Sequence, residues 1–233
     1  MRTAHTMTRL ILFDMDQTLV DVLPYHTRAY TEMFKKTYGI EGSLTGIKFW
    51  GKTAPNIIME ICEMKGIPQK VAEDRLSEAI ETIDSLFENL VRGVAIKPLR
   101  GAKALLESLR KTDNLLGVLT GSLERTTQAV LRASNLAEYF SIFVYGSEGR
   151  DRVELVGVAI SRAERKYNIR FSGKDLVIIG DSIYDIECGK PYNAMTIAVA
   201  TGFYPRRVLE EHKPDYLFDD LTDAGLLKIL TGS

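Results

Sequence analysis

The chain has 233 residues, 45% of them hydrophobic and 26% charged, and a net charge of −1. This composition belongs to a globular protein with one large domain, or one domain plus a modest second one. The near-neutral balance gives no reason to expect nucleic acid or an acidic membrane as partner, so an anionic ligand must be held by a local cluster of positive groups. The two cysteines, Cys62 and Cys188, are far apart in sequence and form neither a disulfide framework nor a zinc pattern. A reducing cytoplasm is the simplest location for such a chain. No stretch approaches the roughly 20 apolar residues of a membrane span, and the first apolar run is too short for a signal peptide.

In chain order, the polar start 1–8 reads as frayed, with Met7 as an alternative start. An apolar run at 10–13 then predicts a buried strand that leads into Asp14 and Asp16. From about 21 to 93 no strand run appears, only helical patterns. Ile57, Ile58, Ile61, Cys62 and Met64 suggest one apolar stripe, and Leu76, Ile80, Ile83, Leu86 and Leu90 make another. Pro24, Pro55 and Pro68 fall near helix starts, where a missing amide proton costs least. The chain returns near Lys97-Pro98. Beyond it, short runs at 115–119, 142–145, 176–179 and 197–200 alternate with helical patterns such as Ala102, Leu105, Leu106 and Leu109. Strands alternating with helices predict an α/β fold, a Rossmann-like parallel sheet with helices on both faces. Residues 1–20 and 94–233 would form that core, and 21–93 a small all-helical cap domain inserted after the first strand.

The carboxylates follow strands. Asp14 and Asp16 end the first apolar run, and Asp181 and Asp185 follow Ile178-Ile179-Gly180. Open parallel sheets bind ligands at the carboxyl ends of their strands. Four carboxylates at one edge repel one another unless a cation joins them. With no Cys or His alongside, all-oxygen donors suit Mg2+ better than zinc. A third strand ends in Thr120-Gly121-Ser122, where a hydroxyl, close-approaching amides and a helix amino terminus make an anion site.

These segments resemble a known family. Asp14-Met15-Asp16-Gln17-Thr18-Leu19-Val20 looks like the first motif of the haloacid dehalogenase-like hydrolases, Leu119-Thr120-Gly121-Ser122 like the second, and Gly180 to Ile186 like the fourth. The helical insertion is similar to the cap of the phosphoglycolate phosphatase and β-phosphoglucomutase branch. Two departures stand out. Gln17 occupies a position that is Gly in many members. The Lys that usually forms the third motif is missing, with Arg152 nearest its place and Arg150 as rival.

The resemblance implies a hydrolase of small phosphorylated metabolites, a monomer or homodimer, with Mg2+ as cofactor. Asp14 would be the nucleophile and Asp16 the general acid and base. Asp14, the Asp16 backbone carbonyl, Asp181 and Asp185 would hold the metal. Thr120, Gly121, Ser122 and Arg152 would stabilise the transferring phosphoryl group. Substrate contacts are expected from the cap, with Tyr25, His26 and Arg28 after the first motif and Trp50-Gly51-Lys52-Thr53 farther on as candidates. A sugar phosphomutase, a haloacid dehalogenase and a non-catalytic phosphate-binding protein are the alternatives. Asp16 speaks against the dehalogenase, because a halide leaving group needs no acid.

Overall fold

A computed structural model describes residues 8–231. Except for Thr8, the polar start and Met7 lie outside the described residues. The first strand, β1 (Leu10–Phe13), leads into a run of helices: α1 (Leu23–Met33), continued by a π-helical turn (Phe34–Tyr38), then α2 (Ala54–Met64), α3 (Gln69–Asp74) and α4 (Leu76–Val91). Strands and helices then alternate: α5 (Ala102–Leu109), β2 (Leu115–Leu119), α6 (Glu124–Ala133), β3 (Ile142–Val144), α7 (Arg152–Tyr167), β4 (Leu176–Gly180), α8 (Ile183–Gly189), β5 (Met195–Val199), α9 (Arg206–Glu211), β6 (Tyr216–Phe218) and α10 (Ala224–Thr231).

The strands make one parallel sheet in the order β3-β2-β1-β4-β5-β6. β1 is central, and its Leu10 aligns with Leu115 of β2 on one side and Leu176 of β4 on the other. The sheet grows outward from β1 in both directions, so the crevice between β1 and β4 is a topological switch point, the place where such sheets bind ligands.

Alternation along the strands divides the core. Leu10 and Leu12 of β1, with Leu176 and Ile178 of β4, pack under α7. Ile11, Phe13, Val177 and Ile179 belong to the larger cluster on the other face, which also includes buried residues of α5, α6 and α10. This is the period-two pattern of a strand buried on both faces. The larger cluster continues without a break into α1, α2 and α4 through residues such as Tyr30, Ile58 and Phe87.

The helical segment leaves and re-enters at one point. Val20 forms an antiparallel bridge with Pro98, and the Leu99 amide donates to the Leu19 carbonyl at 2.8 Å. Pro24 and Pro55 stand in the first turns of α1 and α2, and Pro68 immediately precedes α3.

Some predicted elements shift. β6 was not among the expected strands, since it is short, lies at the sheet edge and has Tyr216 exposed, so it carries no buried apolar run. β5 starts at Met195 rather than Ile197. On α4 the most buried positions are Ala79, Ile83, Phe87 and Val91, while Leu76, Ile80, Leu86 and Leu90 sit half-buried at the margins. The stripe is rotated because α4 packs between α1 and α6. Among the described residues, no helix is long and apolar enough to cross a membrane.

Candidate active site

The carboxyl ends of β1, β2 and β4 meet at the switch point. Asp14 is the first residue beyond β1, and its amide donates to Ile179 of β4 at 2.8 Å, which continues the ladder and fixes the carboxylate's direction. Oxygens of Asp14, Asp181 and Asp185 lie within 4.8 Å of one another, and all three residues are buried. Arg152, the first residue of α7 and only 4% exposed, extends beneath them. Both its terminal nitrogens donate to Asp14 Oδ1 at 3.0 Å, and Nη2 also bonds Asp185 Oδ1 and the Leu119 carbonyl. The rival Arg150 is on the surface, 90% exposed and paired with Glu154. Position in the helix decides between them, because only the first residue of α7 points under the sheet edge.

The electrostatics follow from this crowding. Burial pushes the Asp14 carboxyl well above the usual carboxylate range; Arg152 opposes the shift, while Asp185, Asp181 and Asp16 add to it. Burial, then Asp185, raises Asp181 in the same way, against the hydrogen bond from Thr18. Burial works against the charge on Arg152, yet Asp185 and Asp14 outweigh it and hold the guanidinium charged. One cation thus serves a cluster of three carboxylates, and the remaining negative charge is what a divalent ion would neutralise.

Asp185 has a second duty. Its Oδ2 accepts from the Ser182 amide at 3.0 Å and the Ser182 hydroxyl at 2.5 Å, closing a capping box at the start of α8. Asp181 has little room around it, since a Cβ on Gly202 would come within 1.7 Å of its Oδ2.

Asp16 faces the other way. Its Oδ2 accepts from the Ser122 hydroxyl at 2.9 Å, and its Oδ1 lies 3.2 Å from His26 Nε2. Asp14, Asp16, His26, Lys52, Thr120, Gly121, Ser122, Arg152 and Asp181 all border one cavity of about 90 Å³ between the sheet edge and the helical segment. The segment comes close here. The Ala54 amide donates to the Gly121 carbonyl at 2.8 Å, and a Cβ on Gly121 would lie 2.1 Å from the Lys52 carbonyl. Trp50 stacks on Phe203 with ring centroids 3.5 Å apart.

The family pattern described as haloacid dehalogenase-like hydrolase matches residues 11–199, a span that runs from β1 to β5 and includes the four aspartates, Thr120, Gly121, Ser122 and Arg152. The chain belongs to that family. Among sequence relatives, the phosphoglycolate phosphatase of Haemophilus influenzae is 26% identical, covering 97% of this chain and 100% of its own. The putative pyrophosphatase PpaX of Caldanaerobacter subterraneus is 22% identical, covering 95% of this chain and 94% of its own. In fold, the chain is similar to CbbY from Rhodobacter sphaeroides (TM-score 0.75, 20% identity, covering 94% of this chain and 97% of the other). It is also similar to a putative β-phosphoglucomutase from Bacteroides vulgatus (TM-score 0.73, 19% identity, 99% and 93% covered).

Within this haloacid dehalogenase-like hydrolase, the first departure from the motifs has a visible cost. Gln17 adopts φ +63°, the left-handed region that Gly enters freely and other residues enter at about 1–2 kcal/mol. Its side chain donates to Asp21 at 2.7 Å, and Thr201 donates to its carbonyl at 2.6 Å, which holds the turn. At the second departure, Arg152 reaches two carboxylates at once, but its buried Nε has no hydrogen-bond partner among the described residues.

Three expectations need correction. Tyr25 does not border the cavity; it packs edge-on against Phe87. On α1, Leu23, His26 and Tyr30 share one face at i, i+3 and i+7, whereas Tyr25 is rotated about 100° from His26. The same geometry turns Arg28 outward to pair with Glu32. The helix amino terminus after Thr120 is also not open to an anion. The Arg125 and Thr126 amides of α6 donate to Asp84 of α4 at 3.0 and 2.6 Å, so a carboxylate of this chain already fills that place.

The sequence reading missed Tyr30 and Thr18. Tyr30 lies one helical turn beyond His26, and that spacing was the available signal. Thr18 follows Asp14 by four residues in an irregular turn, where no periodicity points to Asp181.

Proposed function

We propose that the chain is a magnesium-dependent phosphatase of small phosphate monoesters, acting through an aspartyl-phosphate on Asp14. The observation that carries this reading is the pair of first-motif carboxylates. Asp14 is buried and held by a guanidinium in the metal-type cluster, while Asp16 faces the same cavity with His26 and Ser122 on its oxygens. Phosphatases among the sequence relatives support it.

The donor set fits Mg2+. Three carboxylates converge, all donors are oxygen, and one cation leaves them under-neutralised. Asp14, Asp181 and Asp185, with the Asp16 backbone carbonyl, would hold the ion. When bound, it supplies positive charge to the phosphoryl oxygens and to the carboxylate cluster.

In the first step an Asp14 oxygen forms a bond to phosphorus as the ester oxygen leaves, and the Asp16 carboxyl gives that oxygen its proton. In the second step Asp16 takes a proton from water as the water oxygen attacks phosphorus. The bond to Asp14 then breaks, releasing phosphate. The Thr120 hydroxyl and the Gly121 amide border the phosphoryl position, and Arg152 keeps Asp14 oriented through Oδ1. Residues 21–93 serve as the cap over a core of 1–20 and 94–233, and the contact of loop 50–54 with Gly121 excludes water from the phosphoryl group. Free Cys62 and Cys188 support a cytoplasmic setting.

The test is phosphate release from an aryl phosphate with and without Mg2+, on the wild type and on Asp14→Asn. Mg2+-dependent release that disappears in a folded Asp14→Asn protein is expected. Substantial turnover by that variant would remove Asp14 as nucleophile.

A further inference from the structure

The wall of the cavity opposite the carboxylates carries a second kind of information, and the following rests on the phosphatase reading above. Leu44, Phe49, Ile57, Ile83 and Phe87 of the helical segment line it, together with Leu23 at the start of α1. Few charged or hydrogen-bonding groups interrupt this surface, and the charged ones are taken. Lys52 Nζ is bound to Glu60 at 2.5 Å, and His26 is engaged with Asp16. On the core side, Arg152 is held between Asp14 and Asp185 beneath the floor. What remains free are single groups: the Trp50 indole N–H, the Thr126 hydroxyl and the phenol of Tyr30, which keeps its proton because of burial and then the nearby Asp16 charge; none of these three side-chain groups has a hydrogen-bond partner among the described residues.

A phosphate ester seated on Asp14 must direct its organic part at this wall. A carboxylate or second phosphate there would lose water and meet no free cation, and a polyhydroxylated chain would leave most of its donor and acceptor positions unpaired. A hydrocarbon part would gain by burial. We infer that the leaving alcohol of the natural substrate is small, uncharged and predominantly hydrocarbon, with Tyr30, Thr126 and Trp50 free to bond one or two hydroxyl or carbonyl groups on it. Specificity would then differ in kind from that of an enzyme named for phosphoglycolate or pyrophosphate, whose substrates carry an anionic group beyond the scissile bond.

The test compares four-carbon esters, so that length is matched: n-butyl phosphate, 4-phosphooxybutanoate and erythritol 4-phosphate, with phosphoglycolate and pyrophosphate alongside. Phosphate release by the full chain with Mg2+ gives kcat/KM for each. Butyl phosphate should exceed every charged or polyhydroxylated compound by at least about tenfold, the discrimination one or two apolar groups provide. If any carboxylated, hydroxylated or diphosphate compound comes within about tenfold of it, the inference is overturned while the phosphatase reading stands. Release from none of them overturns the phosphatase reading, and the inference falls with it. Leu23→Arg supplies a second measurement, since Leu23 is only partly buried at the first position of α1. The variant should raise the 4-phosphooxybutanoate-to-butyl ratio about tenfold or more. An unmoved ratio in the folded variant would show that this wall does not meet the leaving group.

Discussion

Arg152→Met removes a buried cation while keeping much of the side chain's bulk. In the wild type that guanidinium bonds Asp14 and Asp185, and Asp181 lies within 4.8 Å of both. Removing one partner of a buried ion pair costs about 3–5 kcal/mol, because the other charge is left uncompensated. Two carboxylates lose their partner here, which argues for the upper end, but Asp14 can partly escape by taking a proton. The sign follows from the raised pKa of Asp14 and Asp181 in the folded state. A carboxyl raised on folding destabilises the fold once pH exceeds its unfolded value, and the effect is fully present above its folded value. The variant's deficit should therefore be largest at pH 8 and shrink on acidification, when neutral carboxyls no longer need the cation. For a chain of this size a loss of about 3–5 kcal/mol lowers Tm by about 6–20 °C. The assay is thermal and urea unfolding by circular dichroism in EDTA at pH 8 and pH 6, repeated with Mg2+, which should return part of the loss. Arg152→Lys keeps the charge and should lose less. A deficit under about 1 kcal/mol at pH 8 in EDTA, or one that grows on acidification, would refute the reasoning.

Further expectations follow from the same geometry. Asp84→Ala leaves two amides of α6 without their carboxylate and should cost about 1–3 kcal/mol, with faster proteolysis between α4 and α5; an unchanged urea midpoint would contradict the cross-helix cap. Phe203→Ala removes the ring that stacks on the chain's single Trp, so the emission of Trp50 should shift to longer wavelength; an identical spectrum would place Trp50 elsewhere. Burial raises the Asp14 and Asp181 carboxyls, so a bound Mg2+ competes with protons for them and its affinity measured by calorimetry should be higher at pH 8 than at pH 6. Affinity independent of pH would mean that these carboxyls are already ionised.

Local information in the chain was sufficient for the strands buried on both faces and for the helices with long apolar stripes. Burial on both sides forces continuous apolar runs, and β1, β2 and β4 show them. An edge strand has no such requirement, so β6 left no mark in its residues. The four aspartates were legible for the same reason, because each follows a strand at the ligand-binding edge of a parallel sheet. Which arginine joins them was not legible. Arg150 and Arg152 have the same chemistry, and only the start of α7 relative to the sheet edge buries one and exposes the other. The apolar wall facing Asp14 is likewise a product of assembly. Leu44, Ile57 and the α4 pair Ile83 and Phe87 come from three separate stretches of the sequence, and each alone reads as a core residue of a helical bundle. Packing of that bundle over the sheet edge brings them to one cavity, since side-chain proximity across elements is set by helix docking and not by spacing along the chain.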